Sequence, residues 1–395
     1  MKNISMVVVV FILIPLVLVA EEIKPGRIIK KENYQNYLSD LKRLVPSSQF
    51  KNIAHGLQRG WITMPIVEKR NYYPPKGFVR ATSKNGGKCK IMPVNKLIGW
   101  EAGLPFPDPK TPVELAWDTY RRRQMAEDLE IYFKYLLFTK EINMERSFTL
   151  SLWKKFWVGR TDIPPIPELP GNNGVLNSKE SIVIKNPYDV KGFSMVRIRY
   201  EDIERVDEVY SYIPALRRIR RLTGSDVCDP MLGSDQIYDD FECWRQKIDP
   251  KMTFNILGVR DFLVPRHYTN KPSQRFMKKN CFQVEWEMRP LWILVIFTND
   301  SDYAYSRRIL YIEKTDKTCS LYGGDFYDQK GRLWRNVGPI IQASDPETLF
   351  RCWWGVLIAD HISGHSSTAY MSPKLRNILV PLDVFTIKGL LKRAK

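Results

Sequence analysis

The chain has 395 residues but only four histidines, His55, His267, His361 and His365. Its six cysteines (Cys89, Cys228, Cys243, Cys281, Cys319 and Cys352) contain no Cys-x-x-Cys pair. That spacing argues against thioredoxin-like chemistry and compact zinc sites. A Gly-rich phosphate loop and an alternation of strands with helices are both missing, so a doubly wound nucleotide-binding fold is not expected. No serine sits in a Gly-x-Ser-x-Gly elbow, and nothing else marks a nucleophile. In Asp360-His361-Ile-Ser-Gly-His365 the two histidines stand four apart, as metal ligands on a helix would. Ser363-Gly364 breaks helical continuity there, and no Glu follows His361. The acids of residues 226–240 do not match the spacing of a calcium-binding EF-hand loop. The expectation is therefore no catalytic residue, no metal and no cofactor. Repeats and low-complexity tracts are absent too.

Acid is scarce: 43 Asp and Glu face 61 Lys and Arg, a net charge of +18. Such a balance attracts anions, whether nucleic acid, lipid head groups or acidic glycans. The N-terminus narrows that choice. Lys2 precedes an apolar stretch from Ile4 to Val19, and Ala20 precedes Glu21-Glu22. This is the pattern of a secretory signal peptide, residues 1–20, cleaved after Ala20. Export disfavours nucleic acid and leaves a lipid or a membrane surface. It also places the cysteines where disulfides form, although a chain this long can build its core without them.

The remaining pattern predicts an α+β protein. Residues 21–99 read as a helical and irregular segment, with Tyr34, Tyr37, Leu41 and Leu44 at helical spacing before Pro46. Thr111-Pro-Val-Glu114 forms a capping box with Pro at the first helical position. Val113, Trp117 and Tyr120, then Leu129, Tyr132, Phe133, Leu136 and Leu137, extend the predicted helix over 111–138. Period two takes over afterwards. Phe148, Leu150 and Leu152 alternate with polar neighbours. Arg197 and Arg199 oppose Val196, Ile198 and Tyr200, and Val284, Trp286 and Met288 oppose Glu285 and Glu287. Asp328-Gln-Lys-Gly331 predicts a hairpin turn, and residues 384–393 a last short helix. Many antiparallel strands with few helices point to one large curved sheet over residues 100–395, in one compact domain overall.

Charge is segregated in residues 214–244. Arg217, Arg218, Arg220 and Arg221 fall within five positions, and Asp226, Asp239 and Asp240 are among the acids that follow. Two readings compete. In the favoured one, Arg221 and its neighbours pair with Asp226, Asp239 and Asp240 as an internal clamp at the sheet edge. In the other, Arg197, Arg199, Arg217, Arg218 and Arg220 meet the head group of a ligand. Aromatic residues beside the strands (Trp153, Phe156, Trp157, Trp286, Trp292, Trp353 and Trp354) either fill an ordinary core or line a cavity. Trp286 and Trp292 are the candidates for ligand contact.

Several blocks resemble one known family. Ala102-Gly-Leu-Pro-Phe-Pro107 with Glu114, Trp117 and Tyr120-Arg121 is similar to a block of domain of unknown function 1329, found in exported Gram-negative proteins. So are Tyr212, Pro214 and Arg217, Arg218, Arg220 and Arg221, followed by Asp239-Asp240. Arg307-Arg308-Ile-Leu-Tyr311 and Tyr327-Asp-x-x-Gly-Arg-Leu-Trp-Arg335 resemble its later blocks. The likeness covers residues 100–365, while the family's Gly/Ala-rich opening has no counterpart in 21–99. The resemblance implies an unclosed half-barrel with helices packed on its concave side, the fold of periplasmic carriers of lipid chains. It also implies a protein of the periplasm or outer membrane, not an enzyme, that binds a lipid, a lipoprotein acyl chain or another hydrophobic molecule. The alternative is an adaptor docking on an outer-membrane or efflux partner.

Overall fold

A computed structural model of the chain describes residues 22–71, 74–122, 126–222, 228, 230–268, 284–315, 317–344, 351–371 and 380–393. The expected signal peptide and Asp226 lie outside the described residues. In order, the elements are β1 (Ile28–Ile29), α1 (Leu38–Leu44), α2 (Ser47–Gln58), β2 (Met64–Pro65), α3 (Lys76–Asn85), β3 (Lys90–Met92), β4 (Lys96–Ile98) and α4 (Pro112–Tyr120). Then come β5 (Asp128–Phe138), β6 (Met144–Phe156), β7 (Leu176–Asn186), β8 (Ser194–Tyr200), β9 (Glu208–Ile213) and β10 (Arg218–Leu222). The chain continues with β11 (Thr253–Tyr268), β12 (Val284–Phe297), β13 (Arg307–Glu313), β14 (Leu321–Tyr327), β15 (Leu333–Ser344), β16 (Arg351–Asp360), β17 (Ser366–Met371) and α5 (Ile387–Arg393).

The predicted capping box forms. The Thr111 hydroxyl accepts from the Glu114 amide at 3.3 Å, and the Glu114 carboxylate accepts from the Thr111 amide at 3.1 Å. Together they satisfy donors that a helix start leaves free. The helix does not reach residue 138, however. It stops at Tyr120, and residues 128–138 are a strand. Leu129, Ile131, Phe133, Tyr135 and Leu137 alternate on one face, while Leu136 and Phe138 are buried on the other. From Tyr135 to Phe138 the strand is covered on both faces, and such a run of apolar neighbours also fits a helical spacing.

Thirteen strands form one sheet in the order β10-β9-β8-β7-β6-β5-β17-β16-β15-β11-β12-β13-β14. All neighbours are antiparallel except the single parallel contact between β11 and β15 at Arg266 and Gln342. The expected hairpin closes β14 onto β15 through 328–331, pairing Gly324–Tyr327 with Val337–Leu333. At this end β15, β11, β12, β13 and β14 therefore complete a circuit. The opposite edge, β10, stays open, so the sheet as a whole is an unclosed half-barrel.

One face gathers side chains from both ends of the sheet into one core: Met195 of β8 and Val209 of β9 join Leu310 and Ile312 of β13 and Phe326 of β14. Only the concave side of a curved sheet brings such distant strands together. α4 packs there through Leu115, Ala116 and Trp117, as does the 230–252 segment through Ile237, Cys243, Trp244, Ile248 and Met252. α1 and α2 pack against residues of opposite phase, Leu136, Leu357 and Tyr370, on the reverse side. α5 follows a short reverse-side cluster in which Val384 and Phe385 cover Trp157.

Candidate functional site

The concave side is where the strands converge, and the acidic half of the 214–244 block crosses it. Each of its buried carboxylates docks on a different strand. Asp235 accepts a hydrogen bond from the Ser367 hydroxyl of β17 at 2.5 Å and lies 2.8 Å from His365 Nδ1. Asp239 pairs with Arg197 of β8 at 3.1 Å and accepts from the Tyr303 hydroxyl at 3.0 Å. Asp240 accepts from the Tyr305 hydroxyl at 2.7 Å and from the Ile237 amide at 3.0 Å, with Arg308 of β13 at 3.8 Å. Glu242 takes Lys154 of β6 at 2.6 Å and also binds Arg245. Removing one member of such a pair leaves a buried charge uncompensated, a loss of about 3–5 kcal/mol.

The ionisation behaviour follows from this packing. Burial favours neutral Glu242, but Arg245 and Lys154 outweigh it and bring its carboxyl down to about 2. Burial dominates at Asp240 and lifts it to about 6 against the pull of Arg308 and Arg335. Burial lowers His365, yet its bonds to Asp235 and Glu145 outweigh that and raise it.

Asp239 and Asp240 thus do pair internally, but with Arg197 and Arg308 rather than with the 217–221 arginines. The basic arm runs the other way. Arg217 turns the chain with φ of +50°, and Arg218–Leu222 pairs with β9 as the edge strand. Arg217, Arg218 and Arg220 are exposed there, and Arg221 lies 3.6 Å from Glu208 at the surface. That one arm becomes the edge strand while the other crosses the concave side cannot be read from charge order alone.

Arg197 and Arg199 are on the concave face, as their alternation in β8 requires. Both are buried, and both bind Asp207, at 2.8 and 3.0 Å. Arg199, Arg197 and Lys247 overcome the burial of Asp207 and hold its carboxyl well below the usual range. The flagged tryptophans separate. Trp292 is half-buried against the concave core, with Lys314 Nζ 4.8 Å from its ring centre. Trp286, Trp153 and Trp157 belong to reverse-side clusters. The side chains of Trp353 and Trp354 lie outside the described residues. Lys154, Asp207 and Arg245 escaped the sequence reading, and Arg308 entered it only within a family block. For Lys154 a signal existed, since it continues the inward phase of Phe148, Leu150 and Leu152.

Between the 230–252 segment and the sheet lies an apolar pocket of about 460 Å³, part of it open to solvent. Phe133, Leu150, Ile182 and Met371 belong to its sheet wall, and Met231, Gln236 and Phe241 form the roof. Tyr135 steadies that roof by donating its hydroxyl to Gln236 Oε1 at 3.1 Å. A smaller pocket of about 290 Å³ shares Ile182, Met231 and Phe241 and ends at Glu180 and Arg197. The two make one groove, apolar at one end and charged at the other. His361 bonds Asn336 at 2.8 Å, and the described residues contain no cluster of metal-binding side chains.

The architecture is an unclosed antiparallel half-barrel. A putative outer membrane lipoprotein-sorting protein domain from Vibrio parahaemolyticus is similar in structure, with a TM-score of 0.51 and 18% identity, over 71% of this chain and 97% of that one. A DUF1329 family protein from Desulfovibrio piger matches with a TM-score of 0.51 and 15% identity, over 71% and 95%. No curated protein matches the chain. The model of the family described as protein of unknown function (DUF1329) spans residues 28–381, and the chain belongs to that family.

Proposed function

We propose that the protein is a non-enzymatic carrier or chaperone of the cell envelope that holds a lipid, a lipoprotein acyl chain or another hydrophobic molecule on its concave side. The groove under the 230–252 segment carries this reading. Its wall is apolar apart from Gln236, as a site for a hydrophobic ligand requires. Burial of each methylene there is worth about 0.8 kcal/mol. The fold shared with a putative lipoprotein-sorting domain supports the same class of ligand. A periplasmic location fits an exported carrier, and no described helix is long and apolar enough to cross a membrane. Arg197 and Arg199 already balance Asp207 and Asp239, so the ligand end near them is neutral or zwitterionic rather than a bare anion.

Native mass spectrometry of the protein purified from its own host tests this, together with uptake of a fluorescent fatty acid. The expected result is a bound hydrophobic mass and saturable uptake. Ala369→Phe, which fills the groove from β17, abolishes that uptake while the protein remains folded. A ligand-free mass together with no uptake sinks the proposal.

A second reading, an envelope adaptor, draws on the exposed arginines of the β9–β10 hairpin. In-cell cross-linking from Arg218 that returned one stoichiometric protein partner, with no lipid, would favour it.

A further inference from the structure

The small hairpin of β3 and β4 shows one face to the core and the other to solvent. Lys90 pairs with Ile98, Ile91 with Leu97 and Met92 with Lys96. Ile91 and Leu97 turn inward and pack against the concave core. Lys90, Met92, Lys96 and Ile98 share the outer face, as alternation along a strand requires. All four are exposed, and so is Val94 at the tip. Met92 is 42% exposed, Val94 56% and Ile98 40%. Met92 and Ile98 are diagonal neighbours across the pair, within reach of one another. A lone apolar side chain in water is ordinary, but several on one short hairpin mark a surface that meets something.

Val94 is also strained. Its φ of +59° and ψ of +34° lie in the left-handed region, and Asn95 follows with φ of +62°. Glycine, asparagine and aspartate suit such turn positions, whereas a β-branched residue does not. The tip thus combines two features that oppose folding, an apolar group in water and an unfavourable backbone. Its base is held firmly all the same. Asn95 Nδ2 donates to the carbonyls of Asp249 and Met252 at 3.2 and 2.9 Å, and the Asn95 carbonyl accepts from Trp117 Nε1 at 2.8 Å. A tip fixed in this way loses little chain freedom on binding.

Charge selects the partner. Residues 88–99 contain Lys88, Lys90 and Lys96 and no acid. All three lysines are exposed, and none pairs with an acid among the described residues. Lys90 stands directly across from Ile98, and Lys96 from Met92. A lysine stem can lie along an apolar neighbour while its ammonium stays at the polar level. That mixture suits a bilayer interface, where apolar tips reach the acyl boundary and ammonium groups meet phosphates. We infer that the β3–β4 hairpin docks the protein on a bilayer surface rich in anionic phospholipid, with Met92, Val94 and Ile98 entering the acyl boundary and Lys88, Lys90 and Lys96 meeting the phosphates. The docking does not depend on what the concave groove holds. Because the hairpin packs on the concave core and its tip is bonded to the end of the 230–252 segment, docking sets the concave side toward the membrane.

The full exported chain is floated through a density gradient with vesicles of equal parts phosphatidylglycerol and phosphatidylethanolamine, and separately with vesicles of phosphatidylcholine alone. It is expected to rise with the anionic vesicles, less so at high salt, and to stay behind with the others. Val94→Asn suits the left-handed turn and removes the apolar tip. It is expected to weaken vesicle binding roughly tenfold, the loss of one apolar side chain from the interface, while melting no earlier than the parent. Lys90→Gln combined with Lys96→Gln is expected to weaken it roughly 25-fold, about fivefold for each charge. Arg218→Gln combined with Arg220→Gln removes the same charge from the exposed edge strand and is expected to weaken it far less. No flotation with anionic vesicles, equal flotation with phosphatidylcholine, or unchanged binding by Val94→Asn overturns the inference. So does an arginine pair that matters as much as the lysine pair, which would make the attraction one of net charge alone. A photo-cross-linker at Ile98 that returned one stoichiometric protein from cells, and no lipid, would assign the hairpin to a protein partner instead. Fatty-acid uptake by the groove is read separately, so none of these results decides the carrier reading.

Discussion

Asp118→Asn should stabilise this protein above neutral pH and do nothing of the kind in acid. Asp118 sits on α4 at 0% exposure, under the Gly-Leu-Pro-Phe-Pro block. Its Oδ1 accepts the Phe106 amide at 2.8 Å, and its Oδ2 has no hydrogen-bond partner. Burial pushes the carboxyl from 3.8 up to about 8, with the Phe106 amide pulling the other way. The folded state therefore keeps a proton that the unfolded chain gives up. The stability this carboxyl allows is complete below its unfolded value, falls as the pH rises from 3.8 toward about 8, and is fully lost above that. Each pH unit of that interval is worth about 1.4 kcal/mol, which sets a ceiling of about 4 kcal/mol at about pH 7. Asparagine keeps the oxygen for Phe106 and cannot ionise. Its amide protons inherit the site of Oδ2 and give back about 1–2 kcal/mol. The net expectation is a gain of about 1–3 kcal/mol near pH 7.5, turning into a loss of about 1–2 kcal/mol near pH 4. Thermal melts of both proteins by circular dichroism between these limits read it directly, and the two stability curves must cross. Parallel curves, or a variant that is weaker throughout, would refute the reasoning and place an ionised Asp118 beside a cation.

Glu242→Gln leaves Lys154 and Arg245 short of a carboxylate and should cost about 3–5 kcal/mol near neutral pH. Because the Glu242 carboxyl lies at about 2 instead of 4.5, its contribution is present above 4.5 and fades as the pH falls toward 2. The gap between variant and parent in urea melts should close across that interval. Arg218→Ala, at an exposed site on β10, should change stability by no more than about 0.5 kcal/mol. A larger loss in the same melts would reinstate a clamp between the two arms.

Much of the fold was written in local pattern. The capping box at Thr111, the alternation of β6, β8 and β12, and the turn at 328–331 all rest on neighbours within a few residues, and all formed where the pattern put them. The strand at 128–138 was misread because its end, from Tyr135 to Phe138, is covered on both faces, which erases the contrast between periods. The site was legible as a composition and not as a wiring. Segregated acids and bases announced internal pairing, but which base takes which acid depends on strands distant in the sequence, such as the meeting of Asp240 with Arg308 across the concave side. The pocket lining was hidden for the same reason. Phe133, Ile182 and Met371 are ordinary inward residues of their strands until the sheet curls and brings them together.

The circuit through β15, β11, β12, β13 and β14 limits how this protein can associate. A flat sheet has two unpaired borders, so copies can add to it indefinitely in both directions, which is the route to fibres. Here the border at β14 is joined back to β15, so the strand order of the large sheet ends in one terminal strand, β10. Growth through terminal strands therefore stops at a pair. Even that pair would bring the arginines of two β10 strands side by side, where their like charges resist it.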